Sequence, residues 1–428
     1  MVNKSEIIKC GVGLAASLAF VFAANGLRTL IPEVVTQEAV QAASAGNSEI
    51  TAVTVEAPKA TSADGVISAE DWKELLPNEY NSLMKNKDNE LITSYIEEDP
   101  YITDLYEGYG FAIDYGSARG HYYDLEDVGA TERPHAKANC LTCKTPNFTK
   151  LVNDEGVSAY TMDFQEVYDN LNEGISCYNC HENQAGNNGE LVVTHNYISA
   201  ALGDNMKDID PAILACGQCH IEYYFKPESL EATMPHDSID TMGPEATLEY
   251  YKKIDFADWT QESNGTRMLK AQHPEMETYL LGKHAKMGLT CADCHMATET
   301  AEDGTVYKSH YLESPLNNET LLNTCATCHG DTDMTAFVQG IQENVKARES
   351  EVGTKLQSLK KALDEAVADG KMSEDELNKV RELYRDGEWF WDYCYVENAE
   401  GAHNSELAYN CLDTAEKKAD EALGLLNA

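Results

Sequence analysis

The chain has 428 residues, with 73 acidic against 32 basic side chains and a formal charge of −41 at pH 7. So acidic a surface repels phosphate, which excludes a nucleic-acid partner. Thirteen cysteines and twelve histidines are the reactive stock, and their spacing carries the chemistry.

Residues 1–45 read as a signal peptide or N-terminal membrane anchor. Lys4 and Lys9 precede a mostly apolar stretch from Cys10 to Ala24, the plan of a secretory signal, and Ala43-Ser44-Ala45 offers a small-residue cleavage site. Leu27 to Val35 adds apolar length, so an uncleaved anchor is the alternative. Either way the expected location is extracytoplasmic, in the periplasm or on the outer face of the cytoplasmic membrane. Residues 46–66, rich in small and polar side chains without a stripe of large apolar groups, predict a flexible linker.

Residues 67–335 hold five Cys-x-x-Cys pairs, each followed by a basic metal ligand. Four are regular: Cys177-Tyr-Asn-Cys180-His181, Cys216-Gly-Gln-Cys219-His220, Cys291-Ala-Asp-Cys294-His295 and Cys325-Ala-Thr-Cys328-His329. Cys-x-x-Cys-His is the attachment sequence for c-type haem: two thiols at that spacing reach both vinyl groups while the next side chain reaches the iron. Structural zinc would need the pairs matched in twos, and five pairs cannot be matched. The remaining pair comes first in the chain and differs, Cys140-Leu-Thr-Cys143-Lys144. A lysine binds iron only as the neutral amine, so Lys144 marks a haem with altered electronics and, if its opposite face is open, a place for a small molecule to coordinate.

Eight histidines lie outside the motifs: His121, His135, His195, His236, His273, His284, His310 and His403. They are enough to supply a second axial ligand to each of the four regular haems. The motif spacings of 37, 39, 75 and 34 residues are irregular, so the region is no structural repeat. Haem faces, more than an aliphatic core, are expected to organise residues 100–335.

Residues 336–428 turn helical. Leu356, Leu359, Leu363 and Val367 share a face of a helix ended by Gly370. Ser373 and Glu376 form a capping box opening a second helix through Leu383, and a third runs from about Asn404 to Leu426. Cys394 and Cys411 are spare thiols, a disulfide or a buried pair. The fold class expected is mainly α: a multihaem cytochrome c with loops and short helices around five haems, then long C-terminal helices.

These motifs make residues 67–428 resemble the pentahaem cytochrome c nitrite reductases, the ammonia-forming enzymes, in which one Cys-x-x-Cys-Lys precedes four Cys-x-x-Cys-His. The resemblance extends to Cys216-Gly-Gln-Cys219-His220-Ile221-Glu222-Tyr223 and Lys270-Ala271-Gln272-His273-Pro274-Glu275. It implies five haem c groups, with Lys144 the proximal ligand of the catalytic one and Arg133, Tyr223 and His273 around its open face. For the second to fifth haems it implies His310, His121, His403 and His284 as distal ligands. Glu222, Tyr223, Lys270 and Gln272 are implied to hold calcium, an ion suited to carboxylate, amide and carbonyl oxygens. Nitrite is the implied substrate, a quinol-oxidising multihaem cytochrome of the membrane the electron donor, and a homodimer through the C-terminal helices the assembly. Two departures stand out: Leu141 follows the first cysteine where the family has Trp, and the segment between arginine and lysine motif is short, which leaves Arg119 as the fallback for Arg133. Other readings are a non-catalytic electron conduit, which requires five six-coordinate haems, and turnover of hydroxylamine or sulfite.

Overall fold

The computed structural model describes residues 50–92, 94–113, 119–131 and 137–427. The expected export segment and Arg133 lie outside them. No described helix is long and apolar enough to cross a membrane.

The C-terminal third is three helices packed on one another: α1 (Met334–Asp369), α2 (Glu374–Tyr395) and α3 (Ser405–Leu426). Each begins on a side-chain cap. Asp333 accepts from Ala336 N at 3.0 Å, Ser373 and Glu376 form the expected capping box, and Asn404 accepts from Leu407 N at 3.2 Å. Gly370 ends α1 in the left-handed conformation, φ 65°. Val345, Val352, Leu356, Leu359 and Leu363 form one buried seam on α1, facing Val380, Tyr384 and Trp391 of α2 and Ala415, Ala419 and Ala422 of α3. The alanines let α3 approach closely; at Gly387 an added Cβ would lie 3.3 Å from the Ala415 carbonyl and 3.4 Å from Leu356.

The second helix runs twelve residues past its expected end at Leu383, to Tyr395. Trp389, Phe390, Trp391 and Tyr393 are all buried there, and that packing outweighs the weak helix propensity of an aromatic run. Trp391 Nε1 donates to the Glu349 carbonyl and Trp389 Nε1 to the Pro244 carbonyl, both at 2.9 Å. Cys394 and Cys411 are buried free thiols, and Cys394 Sγ donates to Glu349 Oε1 at 3.1 Å.

Before the bundle, short helices and three two-stranded antiparallel ribbons surround the cysteine motifs. The first ribbon, Tyr224–Phe225 with Ala232–Thr233, follows Glu222 and Tyr223 directly; the second, Trp259–Thr260 with Arg267–Met268, delivers the chain to Lys270. The third pairs Thr298–Thr300 with Val306–Lys308. Two expectations need correction. Residues 128–280 have an apolar core of their own, including Leu141, Phe148, Ile198, Leu202, Leu214 and Ile221, so attached groups are not the sole organiser. Residues 50–66 are docked rather than a free linker: Thr51 N donates to Val306 O and Val55 N to Gly186 O, each at 2.8 Å, and Val66 is 1% exposed. Their β-branched residues satisfy backbone groups of distant loops, which composition alone does not reveal.

Leu359→Ala should lower bundle stability by about 2–5 kcal/mol, read by denaturant titration, because it opens a cavity in a fully buried seam. Burial, the largest influence, pushes the Glu349 carboxyl up to about 7 from 4.5 despite the Cys394 bond that pulls it down. The folded chain therefore holds this proton more tightly than the unfolded one, and stability falls as pH rises from about 4.5 to about 7. Glu349→Gln should melt above wild type at about pH 8 in calorimetry, the gap closing near pH 4.5.

Candidate functional site

Each Cys-x-x-Cys motif forms a helical or 3-10 turn, which puts the two thiols on one side and the next residue one step on. Ser176 caps the second motif with Asn179, and Thr290 the fourth with Asp293, whose Oδ2 accepts from Thr290 N at 2.8 Å. The motif cysteines are partly exposed.

Each of the four motif histidines faces a second imidazole from a distant part of the chain. Ring centroids are 6.1 Å apart for His181 and His310, 5.8 Å for His220 and His121, 6.1 Å for His295 and His403, and 6.2 Å for His329 and His284. Two metal–nitrogen bonds of about 2.0–2.1 Å, plus about 1.1 Å from each nitrogen to its ring centre, add up to about 6.3 Å, so each gap fits one metal ion between the rings. In two of the pairs the outer nitrogens are anchored. Nδ1 of His181 meets Glu190 O at 2.9 Å, that of His295 meets Glu313 O at 3.0 Å, that of His310 meets Lys308 O at 3.0 Å, and that of His403 meets Glu397 Oε1 at 2.6 Å. Holding Nδ1 this way fixes the tautomer and turns Nε2 toward the gap.

His220 has a second neighbour: the His273 ring lies 6.2 Å away. Both Nδ1 atoms turn toward the Glu275 carboxylate, at 3.6 Å from His220 and 3.9 Å from His273, which leaves Nε2 of His220 for His121. Glu275 is buried, yet these two imidazoles hold its carboxyl far below the usual range.

Lys144, which takes the histidine's place in the first motif, puts Nζ 3.5 Å from Asp124 Oδ1. Burial alone would raise Asp124, but Lys144, His121 and His220 together hold it low, so the amine lies beside the third motif's ligand pair. Tyr223 packs its ring against Phe225, with the centroids 5.4 Å apart. Arg119, the fallback for Arg133, is engaged elsewhere: Nε and Nη2 donate to Asp127 Oδ1 at 2.9 and 2.7 Å, and Nη2 also to Glu126.

The segments carrying Glu222 and Lys270 meet as expected. Glu222 is fully buried; Oε1 accepts from the Tyr251 hydroxyl at 2.8 Å and Oε2 from Gln272 N at 2.7 Å. Gln272 Nε2 donates to the Lys270 carbonyl at 3.1 Å. The Lys270 ammonium points away, to both oxygens of the buried Asp392 at 2.9 and 3.0 Å. Burial pushes the Glu222 carboxyl well up, since both of its hydrogen-bond donors are neutral. A buried carboxylate beside an amide and a backbone carbonyl is a donor set that fits a hard cation, provided Gln272 turns its amide oxygen inward.

Sequence reasoning missed the supports. Lys270 N and Ala271 N donate to Asp258 and Asp392 at 2.8 Å, and Glu222 N donates at 2.8 Å to Glu277, which also meets His236 Nε2 at 2.9 Å. No local motif announces such residues, because their partners lie far away in sequence.

The structure superimposes on the cytochrome c nitrite reductase of Desulfovibrio desulfuricans with a TM-score of 0.76 and 27% identity, covering 84% of this chain and 86% of that one. Cytochrome c-552 of Desulfotalea psychrophila is 32% identical over 389 residues, 84% of this chain and 75% of that protein. Since the cytochrome c552 family model matches residues 68–428, the chain belongs to the cytochrome c552 family, haem c oxidoreductases of the nitrite reductase type.

Proposed function

We propose that this chain is an exported pentahaem cytochrome that reduces nitrite to ammonium by six electrons at a Lys144-ligated haem. The observation that carries the reading is the contrast between motifs: four histidines are each matched with a second imidazole at a metal-spanning distance, whereas the first motif presents an amine. Two-sided imidazole ligation suits electron transfer, and the exceptional motif suits chemistry. The haem at that position would supply electrons and a coordination site for the nitrogen of nitrite. The remaining work falls to side chains. Reduction of nitrite to ammonium takes up six electrons and eight protons and releases both oxygens as water, so the departing oxygens need positive charge and a proton source. Arg133 supplies fixed charge, and Tyr223 a hydroxyl. His273, with Nδ1 turned toward Glu275, has Nε2 to donate a proton. Lys144 serves as the neutral amine.

Glu222, Gln272 and the carbonyls of Tyr223 and Lys270 would hold calcium, which would neutralise the buried carboxylate and pin Tyr223 and His273 from behind. The D. desulfuricans catalytic subunit has two calcium sites. A membrane quinol-oxidising cytochrome as donor and a homodimer through the C-terminal helices complete the reading.

Purified protein should show a high-spin haem whose spectrum shifts with nitrite; five low-spin haems inert to added ligands would end the case for catalysis. Lys144→His should keep all five haems and lower nitrite kcat at least about tenfold, and His273→Asn should lower it about a hundredfold, the scale of a lost proton donor. Chelation should reduce activity; full activity in protein shown by metal analysis to be calcium-free would remove the ion from the reading.

A further inference from the structure

One buried amide ties three attachment turns together. Gln218, inside the third motif, is 1% exposed. Its Nε2 donates to the Asn179 carbonyl in the second motif at 2.7 Å and to the Ala215 carbonyl at 3.1 Å. Only the NH₂ end can satisfy two carbonyls, so the amide's orientation is fixed and Oε1 faces the other way. There it accepts from Thr194 N at 2.9 Å and lies 3.1 Å from His195 Nδ1. His195 carries the link onward: its Nε2 donates to the Thr142 carbonyl, inside the first motif, at 2.9 Å. The Thr194 hydroxyl closes the network on the Asn179 carbonyl at 2.8 Å.

Thr142, Asn179 and Gln218 occupy the same place in their motifs, immediately before the second cysteine. The clasp therefore grips each turn at the point that sets its sulfur. Cys143, His195 and Cys219 bring their donor atoms within 4.8 Å of one another, an arrangement that suggests a metal site. Both ring nitrogens of His195, however, already meet oxygen atoms, and both sulfurs belong to attachment motifs. The cluster is better explained as two haem sulfurs brought together by a structural imidazole.

We propose that His195 and Gln218 are positioning residues that fix the relative placement of the first, second and third haems, and through it the rate at which electrons reach the first. The inference rests on the haem reading above. A buried network of this kind is rigid, and removing one member strands carbonyls and N–H groups that only a shift of the turns can repair. Supports one step removed from a metal's ligands typically change activity about 10- to 100-fold when lost.

The test uses holoprotein of His195→Phe and Gln218→Leu, with haem content measured against protein, mixed with dithionite in a stopped-flow spectrometer. The slowest phase of haem reduction should lengthen about tenfold in both, and nitrite kcat should fall by a similar factor with KM unchanged, because the nitrite-facing groups are outside the network. Wild-type reduction kinetics in fully loaded variants would overturn the proposal. If His195→Phe fails to load five haems, His195→Gln, which keeps an N–H for the Thr142 carbonyl, decides: an intermediate lag supports the clasp and wild-type kinetics refute it. Dithionite reduction needs no nitrite, so a wild-type protein blind to nitrite would sink the catalytic reading and leave this comparison standing.

Discussion

The structure depends on one constraint: each motif histidine is matched across a narrow gap by an imidazole from far away in the chain. His121 lies before every motif and faces the third, and His403 lies beyond the last and faces the fourth. Each such pair joins distant segments across about 6 Å, and in the His181–His310 and His295–His403 pairs the outer nitrogens are held by backbone carbonyls or a carboxylate so that the inner ones converge. Turns, ribbons and short helices suffice for this region because fixed rings, and not long elements, set its spacing. The bundle adds what those loops lack. Its aromatic run packs against Tyr106, Trp259 and Met268, the strand that leads to Lys270, so a rigid three-helix core sits directly behind the candidate site.

Electrostatics within the core run opposite to the surface. The chain is strongly acidic overall, yet its interior acids have structural roles: Asp392 holds the Lys270 ammonium, Asp258 holds the Lys270 N–H, and Glu222 and Glu277 brace the strand ends around Tyr223. An anionic substrate would meet a net-negative exterior, so the path to the first motif needs local positive charge. Arg133, and calcium held beside Glu222, are the groups proposed to supply it.

Local rules were legible where they act over a few residues. Capping by Ser373 and Glu376, the stop at Gly370, and the buried face of Leu356, Leu359 and Leu363 all appear as the pattern predicts. Where burial by distant segments decides, the pattern fell short. The second helix continues to Tyr395 because Trp389 and Trp391 find partners on other elements, and residues 50–66 dock because their backbone pairs with loops more than a hundred residues away. His195 looked like a spare histidine; only the fold shows its ring between two motifs.

Thus the sequence by itself determined the attachment chemistry, because covalent capture of a haem needs two thiols and a ligand at fixed short spacing, and it determined the exceptional amine at position 144. It also set the helix starts and stops, since caps act within one turn. Only the tertiary structure decided that the buried Glu222 has its ammonium neighbour turned toward Asp392, that Glu275 lies between His220 and His273, and that one glutamine joins three motifs. Those arrangements depend on which distant groups share a low-dielectric interior, where an unmatched charge or carbonyl is costly, and no short-range pattern in a chain encodes that.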